Sequence, residues 1–181
     1  TTIALLNGDD VFGGSDLADD VRGNQGDDLI TGAAGNDILR GGRGDDRLEG
    51  QEDDDRIFGN AGDDILNGDQ GYDYLNGGSG NDFVNGGSGN DTILGRSGND
   101  TLVGGRGDDE VRGNQGDDII RGEDGDDRMF GGQGNDIVLG GDDVDVVFGG
   151  AGDDGVAGGG SDDRVDGGAG NDIVRGGNGD D

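Results

Sequence analysis

The sequence contains no cysteine, histidine, tryptophan or proline, and its twelve basic residues are all arginine. Each absence removes a class of chemistry. Without histidine or cysteine there is no Ser-His-Asp or Cys-His nucleophile, no HExxH zinc site, no zinc finger and no disulfide framework. Positive charge is scarce: 43 acidic residues against twelve basic ones give a formal net charge of −31 over 181 residues. Such a chain repels nucleic acid and anionic membrane surfaces. No apolar run approaches the ~20 residues of a membrane span. Neither nucleic-acid binding nor membrane insertion is therefore expected. The stretch Ile3-Ala4-Leu5-Leu6 is too short for a signal-peptide core, and no Met opens the chain, so it reads as a processed or excised segment.

What is abundant is glycine, 48 residues of it, with only 27% of the chain hydrophobic. Composition alone points to disorder. The order of the residues points elsewhere. Written in lines of nine from Leu5, the chain keeps one register to Asp181 without insertion or deletion. Gly41-Gly42-Arg43-Gly44-Asp45-Asp46-Arg47-Leu48-Glu49 is one such line, and Gly77-Gly78-Ser79-Gly80-Asn81-Asp82-Phe83-Val84-Asn85 is another. The first position is Gly after the first line, the sixth is always Asp, and the eighth is always apolar, from Phe12 to Val174, with Ile3 in the same column upstream. The fourth is Gly except at Leu17, Asp53, Asp143 and Ser161.

Positions one to six are glycine-rich, polar and acidic, which is turn chemistry. Positions seven to nine suit a short strand whose eighth side chain points inward and whose neighbours point out. The nine-residue apolar period and the frequent glycine exclude a helix. The spacing thus predicts a six-residue turn and a three-residue strand per repeat. Two repeats make one coil, and odd and even repeats form two parallel sheets. The expected fold is an all-β, right-handed parallel β-roll, a β-solenoid of about ten coils, roughly 48 Å long at ~4.8 Å per coil. Residues 1–181 form one continuous roll, with no separate catalytic or capping domain.

One inward apolar residue in nine cannot offset the ordering of the other eight, and stacked Asp columns repel one another. A cation must bind them. The candidate ligands are Asp10, Asp28, Asp46, Asp64, Asp82, Asp100, Asp118, Asp136, Asp154 and Asp172 along one edge, and Asp19, Asp37, Asp55, Asp73, Asp91, Asp109, Asp127, Asp145, Asp163 and Asp181 along the other. Carboxylate and backbone carbonyl oxygen, with no nitrogen or sulfur ligand, select Ca²⁺ over Zn²⁺ or Cu²⁺, and over the small octahedron that Mg²⁺ prefers. One ion between successive turns on each edge gives up to about eighteen Ca²⁺.

The pattern GGxGxDxUx, with U a large apolar residue, resembles the RTX nonapeptide repeat over the whole chain. The resemblance implies a parallel β-roll whose six-residue turns hold Ca²⁺ through Asp and backbone carbonyls. It also implies a secreted or cell-surface protein exported by a type I route, unfolded where Ca²⁺ is scarce and folded outside. The four replaced glycines, all in even repeats, depart from the family pattern and predict weaker or distorted sites on one edge. Asp53 and Asp143 either weaken their turns or add a ligand.

Nothing else in the sequence carries catalysis. The Gly-x-Gly triplets have no helix to follow, and the serine of Gly77-Gly78-Ser79-Gly80 has no histidine to activate it. Residue type leaves a glycosidase open, but a uniform rod offers no cleft. No enzyme is expected. The chain ends on a turn, Gly176 to Asp181, and begins on a strand, Thr1-Thr2-Ile3-Ala4. Open ends of this kind invite strand addition, so head-to-tail stacking into an extracellular structural filament is one expectation. The other is a Ca²⁺-triggered folding and secretion module of a larger toxin, exoenzyme or adhesin. In odd repeats the seventh position (Leu29, Ile65, Phe83, Ile119, Ile137, Ile173) makes a broken apolar stripe. It marks either lateral pairing of rods or plain β-propensity.

Overall fold

The computed structural model describes residues 2–181. Thr1, the first residue of the opening strand, lies outside the described residues. Twenty strands run from β1 (Thr2–Ala4) to β20 (Ile173–Gly177), with no helix among them. Odd-numbered strands pair in chain order as one ten-stranded parallel sheet, here the first sheet, and even-numbered strands form the second. Each strand pairs with the one eighteen residues on: Leu66 lies beside Val84, and Ile57 beside Leu75. Two nonapeptides therefore make one coil, as the repeat predicts.

The division within each repeat differs from the sequence expectation. Strands such as β8 (Ile65–Gln70) and β10 (Phe83–Ser88) span six residues, positions seven to nine and then one to three of the next line. Only three residues are left for the turn. The reason is backbone pairing. The buried position-one glycine, such as Gly86, does not end the pairing: at positions two and three Gly87 pairs with Asp69 and Ser88 with Gln70, as Val84 does with Leu66 before it. The chain bends through two left-handed residues per repeat, at positions two and four. Position two is Gly at 42, 78 and 87, but Asn at 24, 60 and 114, the non-glycine residue that tolerates this region best.

Between the sheets runs a single file of side chains. Sixteen eighth-position residues, from Val21 to Val156, form the core and are all but completely buried. The file frays at its ends, where Ile3 is 36% and Val174 49% exposed. The core is one side chain wide, so it fixes register and contributes little else. On either side of it lie the turns, and with them the carboxylates.

Candidate metal centres

From Asp28 to Asp163 the sixth-position Asp side chains point inward on both edges and are nearly as buried as the core. Asp28, Asp91 and Asp145 are at most 3% exposed. From Asp28 onward each carboxylate makes one defined bond. Its Oδ1 accepts the backbone N–H of the Asp one coil earlier: Asp73 N–H donates to Asp91 Oδ1 at 2.8 Å, and Asp91 N–H to Asp109 Oδ1 at 2.7 Å. The ladder stitches successive turns together and spends half of each carboxylate.

The other half is unspent. In seventeen of these residues Oδ2 is buried and has no hydrogen-bond partner. Nine lie on the odd-repeat edge, from Asp10 to Asp154, and eight on the even-repeat edge, from Asp37 to Asp163. A buried carboxylate oxygen left bare is costly, and seventeen in register are not incidental. Burial is the main cause that pushes Asp91 up to about 8, with Asp109 and Asp73 adding repulsion. It likewise moves Asp55, Asp64, Asp118 and Asp127 to about 7.

What lies opposite Oδ2 is a carbonyl. A Cβ placed on Gly86 would crowd Asp91 Oδ2 and sit 2.7 Å from the carbonyl oxygen of Gly104 in the next coil. The same arrangement recurs at Gly59, with Asp64 Oδ2 and Gly77 O, and at Gly113, with Asp118 Oδ2 and Gly131 O. The first-position glycine thus keeps open a cradle lined by one carboxylate oxygen and one carbonyl oxygen from consecutive coils. Among the described residues no three acidic side chains converge as a cluster, so the remaining ligands have to come from backbone. Hard oxygen donors, bare charge and a gap a methyl group would fill are the requirements of a calcium site. A surface groove of about 540 Å³ lies on the second sheet around Arg121, Leu139 and Asp142. Glycines 140, 141, 159 and 160 line it, so it is a gap between surface side chains.

A four-copy family model, the RTX calcium-binding nonapeptide repeat, matches residues 13–48, 40–75, 73–102, 94–129, 103–138, 121–156 and 148–181. The chain belongs to this family. No curated protein gives a match. As an RTX repeat protein folded into a β-solenoid, it is a calcium-binding β-roll.

Three of the four RTX positions that lack the turn glycine keep the family geometry. Asp53, Asp143 and Ser161 adopt φ of 75°, 70° and 65°, and Asp55, Asp145 and Asp163 in those turns retain bare Oδ2 atoms. Asp53 spends its own side chain on the Gly35 N–H, 3.0 Å away. Leu17 behaves differently, because it does not enter the left-handed region. In that turn Ser15 N–H and Oγ–H donate to Asp19 Oδ2 at 2.9 and 3.1 Å. A Cβ on Gly14 meets backbone of Thr31 and Gly32, with no Asp19 oxygen among its nearest atoms. Protein donors have taken the place of the cradle. At the far end, Asp172 and Asp181 accept the backbone N–H of Asp154 and Asp163, each at 3.0 Å.

A second ladder escaped the sequence reading. Fifth-position Asp and Asn side chains accept the backbone N–H one coil later, opposite in sense to the first ladder: Asn81 N–H donates to Asp63 Oδ1, and Asn99 N–H to Asn81 Oδ1, at 2.7 and 2.9 Å. The signal was present, since Asp or Asn fills most fifth positions. It was hidden by the invariance of the neighbouring Asp column.

Proposed function

We propose that this RTX β-roll folds on Ca²⁺ held between successive coils by the sixth-position carboxylates and the facing first-position glycine carbonyls. The observation that carries the reading is the row of seventeen buried, unpartnered Oδ2 atoms. Two carboxylate columns supply the charge, the Oδ1 ladder fixes each side chain, and the glycines leave room. The bound ions supply the attraction between coils that the thin core lacks. The count this supports is seventeen ions, with the Asp19 turn closed by Ser15. Affinities of about 10⁻⁴–10⁻³ M per site suit extracellular calcium, and stacking makes their filling cooperative. The setting is therefore secreted or cell-surface, reached through a type I route with the chain unfolded inside.

The role is structural and non-catalytic. Among the described residues β1 has only β3 (Asp20–Gln25) beside it, which leaves its other edge open to a further strand. Such edges favour end-to-end stacking of rolls into a filament. The alternative is a folding module that serves a larger RTX toxin, exoenzyme or adhesin. Circular dichroism and electron microscopy on one preparation, in chelator and then in millimolar Ca²⁺, test both layers. A β signal that appears only with Ca²⁺ supports the folding reading. Long filaments in Ca²⁺ support the structural one, and isolated short rods reject it in favour of the module.

A further inference from the structure

Charge in this roll is segregated by surface. Eight of the twelve arginines lie on first-sheet strands, against only three acidic residues, Asp20, Glu110 and Asp166. Second-sheet strands carry four arginines and six acidic residues, and the other 34 acidic side chains all lie outside the strands, on the turn edges. A strongly acidic protein therefore carries one basic face.

That face is ordered. Arg112 in β13 (Glu110–Gln115), Phe130 in β15 (Arg128–Gln133), Phe148 in β17 (Val146–Ala151) and Arg164 in β19 (Arg164–Ala169) stack through four consecutive strands. The guanidinium carbons sit 5.3 Å from the ring centroids at either end, and the two rings stack 5.4 Å apart at 6°. Arg40, Phe58, Tyr74 and Arg56 form a second, tilted group. Each guanidinium lies over one ring, which restricts it and lowers the entropy lost when it meets a carboxylate. Arg56, Arg128 and Arg164 have no ion-pair partner among the described residues.

We infer that this basic first-sheet face docks against the acidic turn edge of a second copy of the chain, and that calcium loading permits it. The inference rests on the calcium sites proposed above. Two arguments select the partner. The first is periodicity: arginines on one rod and exposed fifth-position carboxylates on another fall at multiples of the same ~4.8 Å strand spacing when the axes lie parallel. The second is charge. The ion-free chain carries −31 and repels its copies. Seventeen divalent ions bring the total to +3, which removes the repulsion and leaves the local complementarity. Face to edge is a heterologous contact, so it extends into sheets or bundles and does not close at a dimer.

The test is light scattering of the full chain in millimolar Ca²⁺. The Debye length is about 30 Å in 0.01 M salt and about 3 Å in 1 M. Mass should be higher in low salt than in high salt, the difference being the lateral, face-to-edge association. Arg112→Gln with Arg164→Gln should abolish the rise, and so should Asp117→Asn with Asp153→Asn. The latter pair keeps the fold, because Asn already serves in that ladder at 81, 99 and 135. Arg47→Gln with Arg106→Gln, on the second sheet, should change nothing. A monomer in low salt overturns the inference. So does association of the same mass in low and high salt and in the first-sheet variants, which would place every contact at the sheet ends or on the apolar stripe. So too does a monomer that binds added hexagalacturonate through Arg112 and Arg164, which makes an acidic polysaccharide the occupant. A chain that takes up no calcium at all refutes the underlying site assignment instead, and ion counting on the same samples separates the two.

Discussion

Gly86→Ala should remove calcium binding at one place in the rod without touching a ligand. Gly86 has no left-handed φ to lose, so backbone strain does not enter. Space does. The new Cβ would press into Asp91 Oδ2 and lie 2.7 Å from Gly104 O, where ordinary contact begins at about 3.4 Å. One neighbour is backbone held in the sheet ladder and the other is a carboxylate pinned through Oδ1 to Asp73, so neither can retreat cheaply. Overpacking of this kind costs about 1–3 kcal/mol, and the methyl group occupies the gap assigned to the ion. The expected result in native mass spectrometry at saturating Ca²⁺ is at least one ion fewer, with a higher midpoint in the folding titration. Gly155→Ala is the control: its Cβ meets only Asp136 O, at 3.9 Å, and should leave both quantities unchanged. If the two variants match, the glycine cradle is not the ion site, however well the oxygens line it.

Asp19→Asn should leave the ion count unchanged, because Ser15 already satisfies Asp19 Oδ2, whereas Asp91→Asn should lower it; equal losses would show that the Ser15 turn opens for an ion. In chelator, a carboxyl such as Asp91, raised from 3.8 to about 8, takes up a proton on folding, so the ion-free roll gains stability as pH falls through 8 toward 4. Circular dichroism should then show more β structure at pH 5 than at pH 8 without calcium, and a flat response would count against the buried column. Tyr72 accepts no bond in the fifth-position ladder although its own N–H donates to Asp54; Tyr72→Asn supplies the missing acceptor for Asn90 and should stabilise the loaded roll by about 0.5–1.5 kcal/mol in thermal melts. Leu66→Ala, in the middle of the single-file core, should cost the loaded roll about 2–5 kcal/mol by the same assay without changing the ion count.

The coil, the two sheets and the inward file were legible because period alone determines them. An apolar residue every nine positions cannot be buried except by stacking on its own copies. The boundary between strand and turn was not legible, because glycine carries two opposite meanings here. At position four it bends the chain, with φ near 120° at Gly44 and Gly107. At position one it lies in a strand and makes room for a carboxylate, as Gly50 does for Asp55. The letter is the same, and only the atoms eighteen residues away distinguish the roles. Leu17 shows the converse. It shares a column with Asp53, Asp143 and Ser161, yet the structure separates it, because a small polar residue tolerates a left-handed turn and a branched apolar one does not. Ser15 then closes the turn that Leu17 leaves misshapen, a compensation that no single column of the repeat displays.

Both ladders make a further point about how the fold depends on its ligand. Each sixth-position carboxylate already has the backbone bond it needs to hold the turn, so Oδ2 adds nothing to an ion-free roll except desolvation and repulsion. A neutral side chain of the same shape would serve the ladder better, and the fifth column shows this directly, since Asn stands in place of Asp at 81, 90, 99 and 135 and its Oδ1 still accepts the backbone N–H one coil later. No Asn enters the sixth column in twenty repeats. The column that tolerates a neutral residue faces solvent, and the column that never has one is buried with a bare oxygen. Hydrogen bonding cannot explain that difference, and solubility would have put the strict requirement on the exposed column. A cation in the cradle explains it.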